Sequence, residues 1–176
     1  TVPFKRDAFE LASQLDKEAA LSGAVNTLVW NGSGIAGFNT DGKGLLRDLQ
    51  QNLGIELEGR RVLLVGAGGA AAGVLGALLS AAPAQLVVCN RTPARAQQLV
   101  ERFSRQTAAA LIAAPMVQPG GDYDLVINAT SASLSDQIPS LPAGLFRDQG
   151  VAYDLAYADQ PTAFLRWATG HGAQRC

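Results

Sequence analysis

Lys5 and Asp41 are the residues of the N-terminal part that combine titratable chemistry with a position at the end of a predicted strand. A lysine beside a carboxylate in a cleft can exchange a proton with a carbonyl oxygen while hydride reaches or leaves the carbon. Asn26 and Thr1 could hydrogen-bond to substrate hydroxyls. Each residue also has a structural alternative: Asp41 as a helix cap, Asn26 as a polar strand end, and Lys5 as a solvated charge.

A glycine-rich turn offers a second kind of chemistry. The motif Gly66–Ala71 (GAGGAA) follows the apolar run Arg61–Val65 and opens an alanine-rich stretch with no proline before Pro83. This strand–turn–helix context is the one that a dinucleotide fingerprint requires. Its glycines allow a tight turn and a close approach of backbone N–H groups to a pyrophosphate, and the helix N-terminus favours an anion. The alternative is a tight turn that binds nothing.

The end of the next predicted strand indicates which dinucleotide would bind. Cys89-Asn90-Arg91-Thr92 and Arg95 stand where an NAD-binding unit usually carries an acid that accepts a hydrogen bond from the ribose 2′-hydroxyl. No carboxylate is present in this segment. Guanidinium groups match the geometry of a phosphate, so the segment predicts a preference for NADP. The alternative, that both arginines are solvated charges at a helix start, leaves the missing acid unexplained.

The composition sets limits on the class of protein. Of the 176 residues, 48% are hydrophobic and 16% are charged, and the net charge is −1, which indicates a globular chain and disfavours nucleic acid as a partner. Cys89 and Cys176 do not suggest a disulfide framework, so we expect a cytoplasmic protein. No stretch has the length and apolar character to span a bilayer, and no metal site is expected. The chain begins at Thr1, as if cut from a longer protein.

The hydrophobic pattern predicts an α/β fold, a Rossmann-like doubly wound parallel sheet preceded by a partial N-terminal substrate domain. Residues 6–20 are predicted to form one helix, 25–39 a hairpin and 41–53 a connecting helix. Strands are then predicted at 61–65, 85–89, 110–113, 124–128 and 151–155, with helices at 69–81, 93–105 and 162–169. The expected units are residues 1–41 (partial substrate domain), 42–54 (connecting helix) and 55–176 (NADP-binding domain).

A series of short motifs, taken in order, resembles the shikimate dehydrogenase family over essentially the whole chain. The motifs are Thr-Val-Pro-Phe-Lys, Ala-Val-Asn-Thr, Gly-x-Asn-Thr-Asp-Gly-x-Gly, Gly-Ala-Gly-Gly-Ala, Asn-Arg-Thr-x-x-Arg, Asn-Ala-Thr-Ser and Tyr-Asp-Leu-x-Tyr. The lysine and Asn-Thr-Asp-Gly motifs are specific to the shikimate/quinate group. The resemblance implies the NADP-dependent reduction of 3-dehydroshikimate to shikimate, a step of aromatic amino-acid biosynthesis, and leaves a homodimer open.

The resemblance also implies roles for individual residues. Lys5 and Asp41 resemble the catalytic pair, which also binds substrate. The implied substrate contacts are completed by Thr1, Asn26 and Tyr157. The implied cofactor contacts are Gly66, Ala67, Gly68, Gly69 and Ala70 at the pyrophosphate, Asn90, Arg91, Thr92 and Arg95 at the 2′-phosphate, and Thr130, Ser131 and Leu155 near the nicotinamide.

The resemblance further implies that parts of the family's pattern are not in this sequence. Family members carry a segment before the Thr-Val-Pro-x-Lys motif, with a Ser-x-Ser pair for the substrate carboxylate, and a segment after the position of Cys176. We therefore expect residues 1–40 to form an incomplete substrate domain. Two alternatives stay open: an NAD-using quinate/shikimate dehydrogenase, which Arg91 and Arg95 disfavour, and an NADP-binding module without catalysis.

Overall fold

The computed structural model describes residues 4–105 and 109–174, which form a small N-terminal sheet and a larger parallel sheet. The helices are α1 (Lys5–Leu11), α2 (Lys17–Ser22), α3 (Asp41–Arg47), α4 (Gly69–Ser80), α5 (Pro93–Ser104) and α6 (Ala163–Gly170). The strands are β1 (Gln14–Leu15), β2 (Thr27–Trp30), β3 (Ile35–Phe38), β4 (Arg61–Val65), β5 (Gln85–Asn90), β6 (Ala110–Pro115), β7 (Tyr123–Asn128) and β8 (Phe146–Asp154).

The larger sheet has the strand order β6-β5-β4-β7-β8, with every neighbouring pair parallel. The predicted strands and helices after residue 60 are present, and the fold class is confirmed, but the last strand, expected over 151–155, already begins at Phe146. The chain adds β5 and β6 on one side of β4 and then returns to place β7 on the other side. In such sheets ligands bind beyond the carboxyl ends of the strands at this reversal. The carboxyl ends of β4 and β7 therefore mark the expected site.

The larger sheet has a hydrophobic layer on each face, as a doubly wound fold requires. One layer joins alternate residues of the strands, such as Leu64 and Val88, to α3, α4 and α5. The other joins Leu63 and Val65 to Phe164 of α6. Strands buried on both faces appear in the sequence as continuous apolar runs. Among the described residues, no helix has the length and apolar character that a membrane span needs.

The small N-terminal sheet differs in part from expectation. The predicted hairpin is present, with β2 antiparallel to β3. The predicted helix over 6–20 is wrong, because the chain becomes extended at Ala12 and β1 pairs with β3 in parallel. Ser13 explains the interruption, since its backbone N–H donates to the Ile35 carbonyl at 2.8 Å and its Oγ accepts from the Ile35 N–H at 3.1 Å. A second short helix, α2, follows, capped by the Asp16 side chain.

The connecting helix α3 continues into a π-helical turn, Asp48–Asn52. Tyr153 of β8 donates a hydrogen bond to Asp48 Oδ2 at 2.8 Å, across a separation of 105 residues. Hydrogen bonds from Asn52 and from Tyr153 lower the pKa of Asp48. Burial, reinforced by the neighbouring Asp48, raises the pKa of Tyr153 to about 12, so the hydroxyl keeps its proton at neutral pH. The connecting helix is thereby tied to the larger sheet.

Candidate active site and nucleotide site

Lys5 and Asp41, which lie on different helices, form an ion pair between Lys5 Nζ and Asp41 Oδ2. Lys5 is the first residue of α1, so the expectation that it ends an extended segment is wrong, and Asp41 is the first residue of α3. Their side chains are 15% and 26% exposed. Asn26 Nδ2 donates to Asp41 Oδ1 at 2.7 Å, so both carboxylate oxygens have partners. The structure thus brings together three of the residues selected from the sequence.

The contacts of Asp41 do not support a role as a helix cap. The residue in the cap position of α3 is Thr40, and its side chain makes no capping hydrogen bond. The Asp41 carboxylate accepts from the side chains of Lys5 and Asn26 instead of from backbone N–H groups. Asn26 is held in turn, because its Oδ1 accepts from the Thr40 N–H at 3.2 Å. This arrangement leaves an ammonium group fixed by a carboxylate and partly open to solvent.

The ion pair lies beside the glycine-rich turn. A Cβ added to Gly69, the first residue of α4, would lie 3.8 Å from the Cβ of Lys5. The turn joins the carboxyl end of β4 to the first residue of α4. The Lys5–Asp41 ion pair and the candidate anion-binding turn are therefore direct neighbours.

The turn itself has the geometry that a pyrophosphate requires. Gly66 has φ +111°, and a Cβ there would lie 3.1 Å from the carbonyl of Ala129, so only glycine fits. Gly68 is exposed, a Cβ there would meet nothing within 4 Å, and Gly68 makes no side-chain cap on α4. The first N–H groups of α4 therefore receive no side-chain cap and follow an exposed turn, so they are available to an anion. The residues present fit the phosphate end of a dinucleotide.

The segment after β5 presents two arginines beside a second helix N-terminus. Arg91 and Arg95 are exposed, and within the described part of the chain neither has an ion-pair partner. Thr92 precedes α5, and its side chain makes no capping bond. Asn90 is fixed by donating from Nδ2 to the Thr92 carbonyl at 3.0 Å. Two uncompensated guanidinium groups and an uncapped helix end can hold a phosphate.

The loops after β7 and β8 are joined by a partly buried polar network that sequence reasoning missed. Asn128, which is fully buried, donates to Asp154 Oδ1 at 3.1 Å and accepts from Thr130 Oγ1 at 2.8 Å. Ser133 Oγ and Thr162 Oγ1 each donate to Asp154 Oδ2 at 2.6 Å. Asp154 lies in the Tyr-Asp-Leu-x-Tyr motif, but only the folded chain shows that its carboxylate links the two loops.

The network also orients the candidate residues near the nicotinamide. Thr130 is fixed through Asn128, while Ser131, the next residue along, is exposed. The Leu155 N–H donates to the Asn128 carbonyl at 2.9 Å, which fixes the start of the loop after β8. The carboxyl ends of β7 and β8 are thus ordered as one unit.

Replacing Asp154 with asparagine should lower the free energy of unfolding by about 1–3 kcal/mol, because an amide cannot accept from all the donors that the carboxylate satisfies. Urea denaturation monitored by circular dichroism measures this loss. Asp159→Asn is the matched control, since Asp159 is exposed on the same loop and should unfold at the wild-type midpoint. An Asp154→Asn midpoint equal to that of the control would contradict the linking role of the carboxylate.

The structure does not bring every candidate to the ion pair. Tyr157 lies on the loop after β8 and is 95% exposed, and within the described residues it has no hydrogen bond to Lys5, Asp41 or Asn26. Thr1 lies outside the described residues. These two proposed substrate contacts therefore stay predictions.

Comparison with known proteins identifies the family. The model of the shikimate/quinate 5-dehydrogenase family matches residues 48–135, half of the chain. The chain belongs to this family. It is 50% identical over 176 residues to the shikimate dehydrogenase (NADP(+)) of Acidovorax sp. strain JS42, covering 98% of this chain and 62% of that protein. The chain thus spans less than two thirds of the length of such relatives.

Two solved structures superpose closely on this chain. An Ael1 enzyme from Pseudomonas putida gives a TM-score of 0.86 at 43% identity, over 99% of this chain and 64% of that one. The shikimate 5-dehydrogenase of Thermus thermophilus, in complex with NADP(H) and shikimate, gives 0.81 at 38% identity, over 100% of this chain and 64% of that one. The α/β fold of this chain is therefore consistent with its membership of the family.

Proposed function

We propose that the protein is an NADP-dependent dehydrogenase that interconverts 3-dehydroshikimate and shikimate. The observation that carries the proposal is the Lys5–Asp41 ion pair, held against the first turn of α4 beside the open glycine-rich turn. Family membership and a relative named shikimate dehydrogenase (NADP(+)) support it. A second supporting feature is the pair of uncompensated arginines after β5.

In this proposal Lys5 moves the proton of the reaction. Bound NADPH would supply the hydride. Lys5 Nζ donates a proton to the ketone oxygen as that oxygen gains charge, and in the reverse direction it receives the proton of the alcohol. Asp41 Oδ2 holds the ammonium group in place, and the neighbouring Asp41 Oδ1 and Asn26 amide, which are hydrogen-bonded to each other, would also contact substrate hydroxyls. Thr1 and Tyr157 complete the proposed substrate contacts.

The cofactor contacts are assigned to three segments of the larger sheet. The turn Gly66, Ala67, Gly68, Gly69 and Ala70 would hold the pyrophosphate through its backbone N–H groups. Asn90, Arg91, Thr92 and Arg95 would hold the 2′-phosphate. Thr130, Ser131 and Leu155, ordered by the Asp154 network, would lie near the nicotinamide.

The proposal also covers the organisation and location of the protein. Residues 1–41 would belong to the substrate domain, 42–54 to the connecting helix and 55–176 to the NADP-binding domain. Two cysteines without a disulfide framework are typical of a reducing compartment, which favours the cytoplasm. A homodimer is the oligomeric state to test by sedimentation.

The deciding experiment follows absorbance at the nicotinamide band when the purified protein is mixed with shikimate and NADP. Formation of the reduced cofactor supports the proposal. Parallel reactions with quinate and with NAD separate the alternatives, because faster turnover of quinate with NAD would favour the quinate/shikimate class. Binding of NADP with no turnover of either substrate would favour a module without catalysis.

Arg91→Ala is expected to weaken NADP binding roughly tenfold to a hundredfold, while NAD binding changes little. A hydrogen bond to a charged group contributes about 1.5–3 kcal/mol, and only NADP carries the phosphate that Arg91 would meet. Isothermal titration of each cofactor measures the two affinities.

Arg105→Ala provides the matched control, because Arg105 is an exposed arginine at the opposite end of α5. It should bind both cofactors as the wild type does. Equal losses for NADP and NAD in Arg91→Ala would assign the arginine to the pyrophosphate or to the fold and would overturn its selective role.

A further inference from the structure

Gly73, one turn into α4, lies where the catalytic carboxylate meets the nucleotide-binding helix. A Cβ added there would lie 3.0 Å from Asp41 Oδ2, 3.0 Å from Asn39 Nδ2 and 3.2 Å from Asn39 Oδ1. Real Cβ atoms are seldom this close to such neighbours. The space that a side chain would occupy is therefore filled by the polar groups of the α3 start.

Asn39 and Asp41 have little freedom to move away from this helix. Asn39 is 2% exposed, and its Nδ2 donates to the Ala24 carbonyl at 2.9 Å while its Oδ1 accepts from the Asp41 N–H at 3.1 Å. On the other side, Gly42 also requires a close approach, since a Cβ there would lie 3.0 Å from the Gly73 carbonyl oxygen. A shift of Asp41 would thus also have to displace Asn39 and the start of α3.

Gly73 and Gly69 are four residues apart, so they lie on the same face of α4. Lys5 packs against Gly69, and its partner Asp41 packs against Gly73. Both members of the ion pair therefore pack against one face of α4, the helix that begins at the candidate pyrophosphate turn.

We propose that Gly73 is a positioning residue, which sets the place of the Asp41 carboxylate, and through it of Lys5, relative to the cofactor-binding turn. This inference rests on the proposed function only for its kinetic consequence. Misplacement of a reacting group by about 1 Å can cost on the order of a hundredfold in rate. The site therefore requires that residue 73 has no side chain. The helix has no such requirement, because alanine is more favourable than glycine in a helix interior.

The test compares Gly73→Ala with Gly76→Ala in the purified protein. Gly76 lies on the same helix, but a Cβ there would meet the end of Glu18 and the ring of Phe103, away from the ion pair. Gly73→Ala should lower kcat for shikimate oxidation by roughly tenfold to a hundredfold without changing NADP affinity. Gly76→Ala should keep the wild-type kcat. An unchanged kcat in Gly73→Ala, or an equal loss in both variants, overturns the proposal.

A double variant separates positioning of Asp41 from a general effect on the fold. In the Asp41→Ala background, Gly73→Ala should cause no further loss of kcat, because the carboxylate that it displaces is already gone. An equal loss in both backgrounds overturns the proposal.

A chemical readout makes the inference independent of turnover. Brief acetylation with acetic anhydride, followed by peptide mass spectrometry, reports how accessible and reactive the Lys5 amine is. Its labelling should rise in Gly73→Ala and stay at the wild-type level in Gly76→Ala. If the wild type does not oxidise shikimate, the proposed function fails, but the labelling of Lys5 still tests the positioning role of Gly73. Unchanged labelling in Gly73→Ala overturns that role.

Discussion

Lys5→Ala is expected to lower kcat by roughly 10²–10⁴-fold, the usual contribution of a positioned acid–base group. Alanine removes the only ammonium that Asp41 holds in the described part of the chain, so no side chain remains there to exchange the proton. NADP affinity should hardly change, because the proposed cofactor contacts lie on residues 66–95 and on the loops after β7 and β8. Steady-state kinetics and cofactor titration measure the two effects separately.

Lys5→Arg distinguishes proton transfer from charge alone. Arginine keeps the positive charge beside Asp41 but does not release a proton in proteins, so the rate should remain near that of Lys5→Ala. Lys43→Ala, which removes an exposed lysine from α3, is the control and should keep the wild-type kcat. Near-normal turnover by Lys5→Ala would remove this residue from the mechanism.

Asp41→Asn should lower kcat by about tenfold to a hundredfold and raise the KM for shikimate. The amide keeps the size of the side chain but loses the charge that holds Lys5, and its NH₂ group would face the donor of either Lys5 or Asn26. Poor positioning of the proton donor carries a cost of this order. Kinetics and thermal unfolding should be measured on the same preparation.

The expected signature is a large fall in kcat with a small change in melting temperature. Asp7→Asn is the control, since Asp7 is an exposed acid in the first turn of α1 and should change neither quantity. If the loss of activity in Asp41→Asn only follows the loss of thermal stability, Asp41 is structural, and the proposed pairing with Lys5 does not contribute to catalysis.

The larger sheet could be predicted from the sequence because its signals are local. Apolar runs such as Arg61–Val65 mark strands buried on both faces, and the turn at Gly66 needs a backbone that only glycine adopts. The absence of an acid around Arg91 is likewise visible without a structure. These features depend on residues that are neighbours in the chain.

The remaining features could not be predicted because they depend on distant residues. The break in the expected helix over 6–20 depends on bonds between Ser13 and Ile35, which lies on another strand. The carboxylate of Asp154 acquires its role only when Ser133 and Thr162 arrive beside it. The surroundings of Gly73 are similar, since its neighbours Asn39 and Asp41 lie just before and at the start of α3. No local pattern carries such information.

The hydrogen bond from Tyr153 to Asp48 has a mechanical consequence for the site. Asp41 and Asp48 are seven residues apart on one continuous helix, a distance of about 10 Å. One end of this helix is tied to β8 by the Tyr153–Asp48 hydrogen bond, and the other end packs against α4 at Gly73. Asp41, the proposed catalytic carboxylate, is therefore held to the larger sheet through both ends of the helix that carries it, although its position in the chain places it in the proposed substrate domain.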